Sequence, residues 1–591
     1  MKVKTIIALA LSSTFLSTAA YAGSAEDDIK ALKARLLKLE SQVAKEKAEE
    51  KKLARNVKNS AAPANNAPPP VFVDLRKGLF LETEDKKYAF KIGGRLLIDG
   101  GGISGPVAQG YNGMTRFSQA RLEVEGLFRP WFYKLQYDFS GLGVNSGYVG
   151  EGWRDAFVGI QDERLSHPLL AQPVYFKVGN QYESFSLEAL ASSKYRDTIE
   201  RPMAVDAIAP FRHMGVAMGL IGKNNWTGHF GLYSISPQDW TVAPGGYGTP
   251  AQTATLNYYG AGANNKNWYQ PYGGGAYWEA TGRITHAPIL DEHRLLHLGI
   301  AGSYHQPNSS TGASDNRNML LGSNVNSEAN VLNQRLITTP DLSCGLYAQP
   351  QGVPSNWNQS VSTGNCVNNI EKLDAEFAAS YYNWHLQGEY LLSNYNRNTW
   401  AAQQYALSQG AGNGSNLFLS PAQSRYVAQG WYVQGEWWIT GEEKAQSYDQ
   451  TDKNGVSFAQ LKIKDKFSDG GWGAWGLVGR FSSLNLNNGP FQGQNLYNQL
   501  LLTNIYPNGS AASNPLANVR SMNYFANSGI YGGSQQNATI GLNWYPDNGI
   551  AFQANVTRVM NVKAPLNGNA WQSYYSGSHP TLFEMRTKIY F

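Results

Sequence analysis

Residues 581–591 read Thr-Leu-Phe-Glu-Met-Arg-Thr-Lys-Ile-Tyr-Phe. Phe583, Met585, Ile589 and Phe591 share one side of a period-2 pattern, with Thr587 among them. Glu584, Arg586, Lys588 and Tyr590 share the other. That period belongs to a strand and not to a helix. A strand with one oily and one ionic face must press the oily face into a core or turn it toward lipid. The same alternation recurs along the chain. Trp131, Tyr133, Leu135, Tyr137 and Phe139 alternate with Phe132, Lys134, Gln136 and Asp138. Lys91, Arg95 and Asp99 oppose Phe90, Ile92, Leu96 and Ile98.

A soluble β-sandwich alternates too, with its apolar face inward. Two features favour a membrane barrel. Charged residues run along whole strands, and large aromatics cluster near strand ends, as a wet interior and lipid-facing girdles require. Open sheets cannot span lipid, because their edges leave backbone groups unpaired. Strands are expected near 87–100, 115–128, 131–140, 153–162, 173–181, 213–222, 225–236, 276–288, 294–305, 369–382, 384–395, 427–440, 471–484, 535–545, 549–560 and 581–591. The expected fold is all-β: a 16-stranded antiparallel transmembrane β-barrel, or 18 strands if 441–470 hides two more. Short connections alternate with long ones, including 182–212, 237–275, 306–368 and 485–534, which is the asymmetry of periplasmic turns against external loops.

Composition narrows the function. Aromatics make up 12% of the chain and charged residues only 16%, against ~25% charged in soluble domains. A net charge of +5 is too small to point to a nucleic-acid partner. Two cysteines exclude a disulfide scaffold and a four-cysteine zinc site. No nucleophile elbow, H-E-x-x-H or P-loop occurs. No enzyme, cofactor or metal site is therefore expected. His293 and His297 would sit ~13 Å apart on a strand and read as structural. Cys344 and Cys366 are expected to form a disulfide in an oxidising compartment, worth roughly 3 kcal/mol in the chain-entropy model.

The N-terminal region is different in kind. Lys2 and Lys4, the apolar run Ile6–Leu16 and Ala20-Tyr21-Ala22 predict an export signal over 1–22. Residues 23–59 predict a periplasmic coiled-coil helix with its seam at Ile29, Leu32, Leu36, Leu39 and Val43, a pattern that favours self-association over a lone solvated helix. Residues 60–76 read as a Pro/Ala/Asn linker, and 77–591 as the barrel.

Specific stretches then suggest a family. These are Gly93-Gly94-Arg95-Leu96, Arg121-Leu-Glu-Val-Glu-Gly126, Phe185-Ser-Leu-Glu188, Ser192-Ser193-Lys194, Ile199-Glu200-Arg201, Phe211-Arg212 with Gly215, Gly430-Trp-Tyr-Val433, Ile439-Thr-Gly-Glu442, and Trp475 with Arg480-Phe-Ser482. Together they resemble the phosphate-selective porins O and P, from about residue 77 onward. The final strand resembles the terminal strand of bacterial outer-membrane proteins, with Phe591 as the barrel-insertion signal read by the insertion machinery. The resemblance implies a homotrimer in the outer membrane of a Gram-negative bacterium, in contact with its lipid, with loop 182–212 folded into the lumen.

The expected activity is passive diffusion of small hydrophilic solutes through a wet pore. Anions such as phosphate or polyphosphate are the first expectation, and a sugar-selective or general-diffusion porin is the alternative. Lys194, Arg196, Arg201 and Arg212 are the candidates for an anion-binding constriction. Arg95, Arg121 and Lys134 are candidates for a basic strip on the wall. The family's ladder of arginines is absent from 182–212, and lumenal ion pairs are the competing expectation for these groups. Tyr182 and Tyr195 either offer sugars a sliding surface or pack the loop. An adhesin or outer-membrane enzyme is a remoter alternative.

Overall fold

The computed structural model describes residues 70–74, 78–105, 113–140, 152–234, 278–306, 327–329, 336–337, 367–397, 425–488, 530–563 and 576–591. The expected leader, the coiled-coil seam and the Cys344–Cys366 pair lie outside these residues.

Two short strands come first, β1 (Val71–Asp74) and β2 (Leu79–Thr83). The wall begins with β3 (Tyr88–Ser104), β4 (Gly113–Phe128), β5 (Trp131–Asp138), β6 (Gly152–Gln161), β7 (Tyr175–Tyr182) and β8 (Arg212–Ile221). It continues with β9 (Trp226–Ser234), β10 (Trp278–Leu290), β11 (Arg294–Gln306), β12 (Val367–Tyr381), β13 (Trp384–Arg397) and β14 (Arg425–Trp438). After the two-residue strands β15 (Tyr448–Asp449) and β16 (Ser457–Phe458), it is completed by β17 (Ala474–Asn488), β18 (Ile530–Asp547), β19 (Ile550–Lys563) and β20 (Thr581–Tyr590). Each wall strand pairs antiparallel with the next, and β20 returns to β3 from Thr581↔Ser104 to Tyr590↔Arg95. The result is a closed 16-stranded barrel within an 18-stranded sheet.

Closure follows from what the wall faces. Ile284, Ile540 and Met585 are 64%, 68% and 69% exposed on the outside. Glu123, Arg283, Glu376, Arg480 and Lys588 are buried on the inside. Leaving such apolar rows in water forfeits roughly 1.5–3 kcal/mol per large side chain; acyl chains remove that cost. Aromatics cluster at both rims. At the short-connection end Trp384 stacks on Trp437 at 5.5 Å, and Trp544 lies 5.3 Å from both Trp475 and Phe552. At the long-loop end Trp278 meets Tyr304 at 5.3 Å and Tyr137 meets Trp153 at 5.4 Å. These are the girdles of a barrel that sits across a bilayer.

The seam on β3 is shared. β20 occupies its upper part, while β2 pairs with Ala89–Ile92 below. Where the two meet, Phe591 and Gly94 exchange backbone hydrogen bonds of 3.0 and 3.1 Å. Gly78 leads into β2 at φ +85, where a Cβ would lie 2.4 Å from the Ile92 carbonyl oxygen. The two strands beyond sixteen are therefore β1 and β2, and the linker expected to run to residue 76 gives way to strand at Val71.

Segment 441–470 adds nothing to the wall. Its only strands are β15 and β16, paired with each other, and both residues of β16 are buried. The connection 439–473 lies at the short-connection end but turns into the bore. The connection after β6 holds a short 3-10 turn at Glu163–Leu165, capped by Asp162.

Replacing Ile284 by Arg should destabilise the barrel by ~2–4 kcal/mol, the cost of a cation on the lipid face at mid-membrane. Urea unfolding from lipid vesicles measures it; a barrel with its oily face in a dry core would show no such lipid dependence.

Candidate solute channel

Residues 183–211 cross the bore. Helix α1 (Leu187–Leu190) starts at Ser186, whose side chain accepts from the Ala189 backbone N–H. Helix α2 (Met203–Ile208) follows Pro202, which is its N-cap and makes no side-chain cap hydrogen bond. Met203, Ala204, Ala207 and Ile208 pack with Tyr395, Tyr426, Tyr432 and Leu484 from β13, β14 and β17. The irregular backbone between the helices needs donors for its carbonyls, and the wall supplies them. Lys588 Nζ donates to the Arg196 carbonyl at 2.7 Å, Asn543 to that of Asp197 at 2.8 Å, and Arg480 to that of Glu200 at 2.9 Å. A second loop joins through Glu328, which accepts from the Met203 N–H at 3.0 Å and pairs with Arg480 at 2.9 Å.

Of the predicted constriction residues, Lys194, Arg196 and Arg201 lie in this loop and Arg212 opens β8, yet most of their charge is spent. Lys194 Nζ is bonded to the Glu123 carboxylate, and Arg95 reaches the same group at 3.3 Å. Burial beside Arg95 pushes the Lys194 ammonium down to about 8 against the pull of Glu123. Arg212 pairs with Asp155 at 2.7 Å and lies 3.7 Å over the Tyr182 ring. Arg201 donates to the carbonyls of Glu188 and Ala189 at 3.3 and 3.1 Å. Arg196 differs: its Nε and Nη1 are buried with no hydrogen-bond partner among the described residues. Of the wall strip, Arg121 pairs with Asp138 at 2.7 Å and Lys134 with Glu125 at 2.6 Å. Tyr182 packs under Arg212, and Tyr195 packs on Tyr590 at 5.7 Å.

The bore is electrically two-sided. Along β3–β8, Arg95, Arg121, Lys134, Arg154, Lys177 and Arg212 face Glu123, Glu125, Asp138 and Asp155, and Arg121 and Arg154 both reach Asp138. Along β10–β14, Glu279, Asp374, Glu376, Glu389 and Glu436 are buried, with Arg283 paired to Glu376 at 2.7 Å.

Segment 439–473 is the element that sequence reasoning missed as part of the channel. It enters from the opposite mouth and meets the first loop, with Lys444 bonded to Asp197. Lys177 Nζ donates to Asn454 at 2.7 Å and Arg283 to the Val456 carbonyl at 3.2 Å. At Gly455, φ +125, a Cβ would lie 2.5 Å from Ser184 Oγ of the first loop. Glu443 ties the segment's base to His293 in the β10–β11 turn at 2.5 Å; that hydrogen bond holds the imidazole above its usual pKa. The available signal was a connection too long for its end of the barrel, with glycines at 441, 455 and 470.

The family model "Phosphate-selective porin O and P" matches residues 90–345 and 342–591. Porin O of Pseudomonas aeruginosa is 29% identical over 145 residues, 23% of this chain and 30% of that protein. The match thus spans less than a third of that relative. Among solved structures, an anion-selective porin from Comamonas acidovorans aligns over 85% of this chain and 100% of its own, at 7% identity and TM-score 0.39. OprB of Pseudomonas putida aligns over 86% and 95%, at 9% identity and TM-score 0.41. A closed barrel with lipid-facing apolar rows and a charged interior is the architecture of an outer-membrane porin, and the chain belongs to the phosphate-selective porin O and P family.

Proposed function

We propose that this porin is a general-diffusion channel for small hydrophilic solutes, with a transverse field across its bore. One observation carries the reading. The cations placed at the constriction and on the basic strip are mostly tied to lumenal carboxylates or loop carbonyls. A tied charge still orients water and dipolar solutes but offers no row of free anion sites. The packed state of Tyr182 and Tyr195 supports a structural role over a sugar track.

A second reading, preference for anions such as phosphate, draws on two facts. Arg196 is buried with unmatched donors, and Arg121 and Arg154 both lie within ion-pair reach of Asp138. The export leader 1–22, a trimer zipped by the 23–59 helix, and presentation of the last strand to the insertion machinery belong to the same proposal, supported by the sequence patterns and the family.

Planar-bilayer recording tests the choice. A modest reversal potential in a salt gradient, and chloride current unaffected by millimolar phosphate, are expected for general diffusion. Saturable phosphate block would decide for the anion reading instead.

Glu123→Gln should shift permeability toward anions, because it releases Arg95 and Lys194 together. It should also cost about 3–5 kcal/mol of stability, typical of a broken buried pair. Lys194→Ala should change selectivity much less, since Arg95 still neutralises Glu123. Equal shifts in the two variants would contradict the pairing.

The His293–Glu443 contact is expected to act below neutrality. A histidine raised on folding contributes stability that is fully present below its unfolded value near ~6.5 and is lost as pH rises through the folded value. Open-channel current noise should therefore grow as pH rises through that range, and His293→Gln should remove the dependence.

A further inference from the structure

Two clusters of carboxylates lie inside the wall, and they are not alike. At Glu183 and Glu279 each oxygen has a donor. Glu183 is bonded to His213 and Thr281, and Glu279 to Ser303 and to His305 at 3.1 Å. That network is closed by hydrogen bonds of its own.

The second cluster is not closed. Asp374 and Glu376 on β12 stand beside Glu389 on β13, and Glu376 and Glu389 are direct cross-strand partners. One carboxylate oxygen from each of the three lies within 4.8 Å of the others. Asp374 is fully buried, and neither of its oxygens has a hydrogen-bond partner. Glu376 Oε2 and Glu389 Oε2 are likewise buried and unmatched. Only the outer oxygens are used. Glu376 Oε1 takes Arg283 and His297, at 2.7 and 3.1 Å. Glu389 Oε1 accepts from the Glu188 N–H at 2.8 Å and from the Tyr432 hydroxyl at 2.7 Å. Glu188, also buried, faces the group from the loop with an unmatched Oε1.

Like charges directly opposite on a sheet repel, and burying carboxylates without partners costs heavily. Arg283 alone does not balance three of them. We propose that Asp374, Glu376 and Glu389 form a binding site for a hard divalent cation of the Ca²⁺ type. The donor set decides the class. Every unmatched atom is a carboxylate oxygen, which suits Ca²⁺ with water completing its shell. Nitrogen ligation is closed off, because His297 is engaged on both ring atoms, by Glu376 and by Tyr448 at 2.7 Å. The ion adds two positive charges to the acidic half of the bore. It also braces α1, since Glu389 is the group that holds the Glu188 N–H. The site depends on the barrel and its inward loop, and on no particular solute.

The test uses the full chain refolded in detergent without lipopolysaccharide and stripped with EDTA. Tb³⁺ is the probe, because Tyr432, bonded to Glu389, can sensitise its emission. Expected are saturable Tb³⁺ luminescence, displacement by Ca²⁺ more readily than by Mg²⁺, and a higher unfolding temperature in Ca²⁺ than in EDTA. Asp374→Asn and Glu389→Gln should each weaken Tb³⁺ and Ca²⁺ binding about tenfold or more, the scale on which site residues tune metal affinity. Folding of each variant is read from heat-modifiable gel mobility. If one fails to fold, the other and the wild-type Ca²⁺ isotherm carry the test. Titrations unchanged by these substitutions, or a wild type with no saturable binding, overturn the site. An Asp374→Asn barrel that is more stable than wild type while wild type ignores Ca²⁺ also overturns it, in favour of a shared proton.

Discussion

The fold rests on the need of every wall amide and carbonyl for a partner where water is absent. Fifteen sequential pairings meet that need for all but two strand edges, and the return of β20 to β3 removes those. The rest follows from closure. Once the sheet is a ring, alternation sorts the side chains, with Phe583, Met585 and Ile589 outward and Glu584, Arg586 and Lys588 inward. The inside then holds more charge than a protein core tolerates unpaired.

That second problem is solved by pairing and by filling. Arg586 grips Asp99 through two hydrogen bonds of 2.6 and 2.7 Å and also reaches Glu200 of the inward loop at 3.1 Å. Arg480 and Lys588 serve loop carbonyls in the same way. Wall charges therefore have two duties. They hold the loop in the bore, and under the proposed function what remains of their field acts on solutes. The groups that position the constriction are largely those that would otherwise have been free to select ions.

Strand positions were readable because alternation is a local property. The 131–139 pattern became Trp131–Asp138, and the last strand ends one residue from its expected limit. Lumenal parity was equally readable, from Arg95 on β3 to Arg480 on β17. What could not be read was who meets whom across the bore. Lys194 and Glu123 are far apart in sequence, as are Lys444 and Asp197, and no local pattern links them. Segment 439–473 was misread for a related reason. It loses the period-2 signal and is anchored by scattered contacts, such as Lys453 to Gln161 at 2.8 Å. The charges of the cluster at Asp374 follow the strand alternation, but its lack of donors appears only when Arg283 and His297 are seen on one oxygen of Glu376.

The hairpin of β1 and β2 has a mechanical meaning. Val71 pairs with Thr83 at the hairpin's open end, and Thr83 leads directly toward β3. A pull through residue 70 enters at that open end and peels rungs singly, Val71↔Thr83 first, then Phe72↔Glu82. Peeling one rung at a time takes far less force than shearing them together. The hairpin thus behaves as a fuse that yields under tension while the ring behind it keeps its seam.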